Sequence, residues 1–326
     1  MLCLFRVGLI AIFALALSDV TTEVRRKAPS KTARRQHTLD VVRAYVALTK
    51  PRIIEQLLIT TVPAMMLAAG GLGSVRLIIA TLIGGTMCAG SANAFNCYVD
   101  RDIDAVMHRT AKRPLVKHVV EPRSALIFGI VLGVVSTGLM WWQTTWLAAV
   151  LCVVAILLYA VFYTMILKRR TSQNIVWGGA AGCMPVLIGW AAVTGSLSLA
   201  PFILFAIIFF WTPPHFWALA IKYKDDYAAA NVPMLPVVAE PRTVTLQMLF
   251  HSVAMVAFSI ALWPLAMTLV YGIIVSLLGA WFLFEAGRLH VQTVRGAPIR
   301  PMRVFHMSNT YLTLVFILVA VDSLLH

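Results

Sequence analysis

Charge is scarce in this chain. Asp, Glu, Lys and Arg make up 12% of the 326 residues, where soluble domains run at about 25%. With 60% of the residues apolar, there is too little polar surface to face water and too much apolar surface for a disordered chain. Cysteine is also sparse. The five residues Cys3, Cys88, Cys97, Cys152 and Cys183 are scattered and form no C-x-x-C pair, which excludes a disulfide framework and a cysteine zinc site. The period-two alternation of a transmembrane β-barrel is missing too, since blocks such as 147-LAAVLCVVAILLYAVF-162 are apolar without interruption. What remains is an all-α, polytopic membrane protein.

Crossing the hydrocarbon layer takes roughly 20 apolar residues. Nine such runs occur, at about 53–70, 76–98, 124–142, 145–167, 174–194, 201–221, 243–263, 265–288 and 304–325. The net charge is +14, from 27 Lys and Arg against 13 Asp and Glu. A soluble protein with that surplus would suggest nucleic acid. Here all the basic residues except Arg6 and Arg76 fall in segment 19–52 or in every second loop, so the surplus marks cytoplasmic loops and no nucleic-acid partner is expected. The start of the first span is then inside and the C-terminus outside, in a bacterial-type cell membrane. Residues 7–17 form an apolar run too short to span, like a signal-peptide core. Residues 1–38 are expected to be a basic tail or a mis-set start, and 39–326 the nine-helix domain.

Acids are so few that their placement carries information, because polar groups at membrane depth are costly and usually functional. In 93-NAFNCYVDRDIDAVMHRTAKRPL-115, Asn96, Asp100 and Asp104 are spaced i, i+4, i+8 and share one helix face. Carboxylates stacked that way call for a cation between them. A hard ion such as Mg²⁺ takes oxygen ligands and is commonly shared with substrate phosphates. Arg109, Lys112 and Arg113 follow directly and can grip phosphate oxygens. Asp102 points off this face, toward solvent or Arg101 or Arg109. A second acidic pair, Asp225 and Asp226, lies in 222-KYKDDYAAANVPMLPVV-238, after the sixth run.

In 211-WTPPHFW-217, Pro213-Pro214 is expected to break the sixth span. His215 then sits at membrane depth beside Trp211, Phe216 and Trp217. It could ligate iron, donate a proton or bond a freed carbonyl. Gly178, Gly179, Gly182 and Gly189 around Pro185 read as close helix packing.

These segments together resemble the UbiA superfamily of intramembrane prenyltransferases, and Asn96, Asp100 and Asp104 match its N-x-x-x-D-x-x-x-D motif after the second of nine helices. The resemblance runs from about Leu39 to the end. Through 47-ALTKPRI-53, 163-YTMILKRRTSQNIVWGGAAGCMP-185, 305-FHMSNTYL-312 and the segments above, it is similar to the branch that prenylates heme. It departs from the wider superfamily where a second D-x-x-x-D has Lys222 and Asp226 here.

The resemblance implies a nine-helix fold around an intramembrane cavity. It also implies transfer of a farnesyl group from farnesyl diphosphate to heme b, with water, giving heme O and diphosphate. On that reading Asn96, Asp100, Asp104, Asp226 and less directly Asp225 hold Mg²⁺, with Asp100, Asp104 and Asp226 catalytic. Arg109, Arg113, Lys168, Arg169, Lys222 and Lys50 bind diphosphate. His215, then His306, with Trp211 and Trp217, meet the heme, and a downstream heme-oxidising enzyme is the implied partner. The alternatives are a prenyltransferase acting on an aromatic quinone precursor and, more remotely, a secondary transporter.

Overall fold

The computed structural model describes residues 31–325, and no strand occurs among them. Cys3, Arg6, the apolar run 7–17 and most of the expected tail lie outside the described residues. The first helix, α1, spans Lys31–Leu48 and so starts ahead of the boundary expected at 39. It is followed by α2 (Pro51–Ala69), α3 (Val75–Val99), the short α4 (Arg101–Val106) and α5 (Pro122–Gln143). Next come α6 (Trp146–Leu157), continued by a π-helix over Leu158–Leu167, then α7 (Asn174–Thr194) and α8 (Leu199–Lys222). After the short α9 (Lys224–Ala229) and α10 (Leu235–Val238) follow α11 (Pro241–Ala266), α12 (Leu269–Val294) and α13 (Pro301–Asp322).

Eight of these helices, counting α6 and its π-helical extension as one, are long and apolar enough to span a membrane. The ninth expected span corresponds to α2, a 19-residue helix whose described stretch Ile59–Ala69 is apolar. Large apolar side chains such as Val134, Trp141, Phe250 and Phe284 stay exposed on the outside of the bundle. That is a lipid-facing surface, since lipid tails offer no reason to bury them. The interior is polar at selected points. Ser91 donates to Gly129 O at 2.7 Å and Ser136 to Gly84 O at 2.8 Å, clasping α3 to α5. Cys88, Cys97, Cys152 and Cys183 are buried free thiols.

α8 is central and packs on α7, α11 and α13. It runs unbroken through Pro213 and Pro214, which corrects the expected break. Two prolines remove two i→i−4 hydrogen bonds, yet neighbouring helices can hold such a segment helical in a bundle. The Thr212 hydroxyl also ties back to Ile208 O at 2.8 Å. α7 likewise continues through Pro185, and α11 through Pro264.

The glycines of α7 do bring neighbours close. A Cβ on Gly179 would lie 2.9 Å from Thr212 of α8, and one on Gly189 3.0 Å from Thr61 of α2. At Gly178 the Cβ would lie 2.1 Å from the Tyr163 ring on the π-helix. Gly178→Ala is therefore expected to push Tyr163 out of place and cost about 1–3 kcal/mol through overpacking. Thermal unfolding in detergent checks this, and an unchanged midpoint would refute the contact.

Candidate active site

The site begins where α3 ends. Asp100 caps both α3 and α4, with φ −86° and ψ 6°, so the chain kinks there rather than continuing straight. The Asp104 N–H still bonds to Asp100 O at 2.8 Å, which keeps the i, i+4 relation across the kink. Asn96, Asp100 and Asp104 are 3%, 0% and 2% exposed, so two carboxylates are held out of water and must be paired.

Their partners come from three separate segments. Lys50, in a left-handed conformation with φ 53° just ahead of α2, donates to Asn96 Oδ1 at 2.5 Å. A left-handed non-glycine residue is a strained one, and strain collects at functional sites. Burial holds the Lys50 ammonium below its ordinary pKa, partly offset by Asp100 and Asp104. Asn96 Nδ2 donates to Asp100 Oδ2 at 2.8 Å and to Thr164 Oγ1 at 3.1 Å. Lys168 makes a short contact with Asp100 Oδ2, and Arg113 donates to Asp104 Oδ2 at 2.5 Å. Burial alone would lower the Arg113 pKa, but the Asp104 carboxylate overrides it and raises it.

Arg169 forms a two-pronged pair with Asp102, at 2.8 and 2.7 Å, and bonds Val99 O at 3.1 Å. The hydrogen bond from Arg169 holds the Asp102 carboxyl down at about 2. Asp102 faces solvent as expected, with its side chain 61% exposed, but the arginine it pairs with is Arg169 of the loop after the π-helix rather than Arg101 or Arg109. Asp100 Oδ1 is buried with no hydrogen-bond partner, and Arg169 is 3.9 Å away. An unpartnered carboxylate oxygen at zero exposure is a donor of the kind a hard cation takes.

Asp226 belongs to a second, neighbouring group. It accepts from the Arg109 N–H at 3.2 Å and pairs with His108 Nδ1 at 2.9 Å. The His108 contact holds the Asp226 pKa below the ordinary carboxylate value. The His108 side chain is itself 96% exposed, so this pair lies at the water-facing edge. The Arg109 guanidinium reaches the Tyr227 hydroxyl at 3.4 Å and lies 5.9 Å from the Tyr223 ring centre, and Lys222 sits over the same ring at 5.4 Å. Asp225 is exposed. Among the described residues no three His, Cys, Asp or Glu side chains converge on one point, so the five acidic and amide candidates form no closed cage. A Mg²⁺ site of the substrate-sharing kind needs only one or two carboxylates with waters and phosphate oxygens. The Tyr163 ring stacks on Tyr159 at 5.5 Å between centroids.

The aromatic cluster is divided. His215 is 5% exposed and stacked between Trp211 and Phe305, at 4.2 and 4.4 Å between centroids. Its Nδ1 meets Ser308 Oγ at 2.9 Å, and Trp211 Nε1 donates to Ser308 O at 2.7 Å. Trp217 faces elsewhere, edge-on to His251 at 5.4 Å. His306 is exposed.

Thr164 and the π-helix that carries it escaped the sequence reading. In the π-helix the Lys168 N–H bonds to Tyr163 O, five residues back, at 2.8 Å, and Thr164 Oγ1 donates to Tyr159 O at 2.7 Å. π-turns inside helices recur at functional sites. This one sets Thr164 against Asn96 and delivers Lys168 to Asp100.

Residues 57–310 match the profile of the UbiA prenyltransferase family. The chain is 56% identical over 309 residues to protoheme IX farnesyltransferase 2 of Saccharopolyspora erythraea, covering 94% of each chain. It is also 56% identical over 285 residues to protoheme IX farnesyltransferase of Leifsonia xyli subsp. xyli, covering 87% of this chain and 93% of that one. Among solved structures, a digeranylgeranylglyceryl phosphate synthase superposes with a TM-score of 0.72 at 15% identity, over 87% of this chain and 99% of that one. A UbiA homolog from Archaeoglobus fulgidus bound to GPP and Mg²⁺ gives a TM-score of 0.63 at 15% identity, over 85% and 99%. Likeness at that identity speaks for the fold.

Proposed function

We propose, because this chain belongs to the UbiA prenyltransferase family, that it transfers a farnesyl group from farnesyl diphosphate to a vinyl group of heme b. Water adds in the same reaction, and the products are heme O and diphosphate. The observation that carries the site assignment is the open oxygen of Asp100, buried among more cations than carboxylates. The acceptor assignment is supported by relatives named protoheme IX farnesyltransferase that match at 56% identity or more over about nine-tenths of their length.

The C–O bond to the allylic carbon breaks, and negative charge collects on the leaving diphosphate. Arg113, Lys168 and Arg169, with Arg109, Lys222 and Lys50, act as fixed donors for that charge. When bound through Asn96, Asp100, Asp104 and Asp226, Mg²⁺ supplies Lewis-acid stabilisation and a template for the diphosphate. The allylic carbon then bonds the terminal vinyl carbon, and water closes the adjacent carbon as a hydroxyl and releases a proton. Carbon–carbon bond formation has to precede attack by bulk water, which calls for a largely dry site. His215 and His306, with Trp211 and Trp217 on the same segments, are the proposed heme contacts. His215 is open to iron only after Trp211 or Phe305 shifts, whereas His306 is accessible as it stands. The alternation of basic loops supports a cytoplasmic diphosphate site and an outward C-terminus in the cell membrane.

Purified protein supplied with farnesyl diphosphate, heme b and Mg²⁺ is expected to yield a product heavier than heme b by a farnesyl group and water. Prenylation of a quinone precursor with heme b left untouched would establish the alternative acceptor.

A further inference from the structure

At the end of the bundle where α12 gives way to α13, a shallow, open cleft is lined by Glu285, Arg288, Gln292, Arg300 and Arg303. Glu285 is buried. It holds Arg303 at 2.6 Å and lies 3.9 Å from Arg288. One carboxylate cannot neutralise three guanidiniums, so the cleft keeps surplus positive charge, and Arg300 makes no ion pair among the described residues. None of these side chains is hydrogen-bonded or ion-paired to the aspartate groups.

The surface beneath the cleft is apolar. Leu277, Trp281, Phe284, Arg288 and Val291 recur at steps of four and three and so share one face of α12. Leu277 and Phe284 are each 67% exposed. A lipid-facing stripe thus runs along a spanning helix and reaches an arginine on the rim of a basic cleft. The ligand this suits is an amphiphile with acyl chains along the stripe and an anionic head between the guanidiniums. Two-pronged binding of phosphate oxygens is what arginine does best, and basic pockets between spanning helices are sites for anionic headgroups. We propose that this cleft binds the phosphate of an anionic phospholipid.

The test is thermal unfolding of the full-length protein in neutral detergent, titrated with short-chain phosphatidylglycerol, phosphatidylcholine or inorganic phosphate. Phosphatidylglycerol is expected to raise the midpoint saturably and phosphatidylcholine to leave it in place. The double variant R288Q/R300Q keeps the Arg303–Glu285 pair and is expected to weaken the apparent affinity roughly thirtyfold. Should it not fold, R300Q alone is expected to weaken it roughly fivefold. An equal phosphatidylglycerol response with and without the substitutions overturns the proposal. A shift produced by inorganic phosphate alone, and lost in the variant, keeps phosphate recognition but overturns the lipid as its source.

Discussion

Asp100→Asn is expected to yield a folded, membrane-inserted protein whose prenyl transfer is down by at least roughly a hundredfold. Asparagine keeps the shape of the side chain and one acceptor oxygen for Asn96, whose Nδ2 lies 2.8 Å from Asp100 Oδ2. It removes the charge that makes the unpartnered Oδ1 attractive to a hard cation. It also leaves Lys168, with a side chain 12% exposed, facing a neutral amide, so a lowered unfolding midpoint should accompany the loss of activity. Product mass after incubation with farnesyl diphosphate, heme b and Mg²⁺ reads the first effect and thermal unfolding the second. Near-normal turnover in a well-folded Asp100→Asn protein would sink the metal assignment. Asp104→Asn tests the same site from the other carboxylate, where the displaced partner is Arg113.

What the sequence made legible here was periodic or local. Spacing of i, i+4 placed Asn96 and Asp100 together because one helix carries both, and their hydrogen bond follows from that geometry. Alternating basic loops and long apolar runs located the spans for the same reason, since each depends on composition over a continuous stretch. Contacts between segments distant in the chain were illegible. Asp102 meets Arg169 and Asp226 meets His108 across 67 and 118 residues, and no local pattern encodes either. Thr164 reaches Asn96 only through the wider π-turn, which has no simple sequence signature. Pro213-Pro214 misled in the opposite direction. The local rule for proline is sound, but α8 is packed by α7, α11 and α13, and that surrounding overrides the rule.

Lys168→Met should destabilise the protein in the absence of divalent cation by about 3–5 kcal/mol, the usual cost of orphaning one partner of a buried ion pair. Lys168 contacts Asp100 Oδ2 directly, and Asp100 is 0% exposed. Without the lysine, the next cation is Arg169, 3.9 Å from the other oxygen and already committed to Asp102. The buried carboxylate would then keep only that longer, shared contact as countercharge. Asp100→Asn combined with Lys168→Met should cost less than the sum of the two single changes, because neither charge is left alone. Mg²⁺ turns the same variant into a test of the proposed ligand. If Asp100 takes the ion, Mg²⁺ should raise the unfolding midpoint of Lys168→Met more than that of the unaltered protein, since it supplies the countercharge the lysine gave. An equal shift in both proteins would mean that Asp100 serves Lys168 and not the metal, and the cation would then have to be held from the Asp104 or Asp226 side.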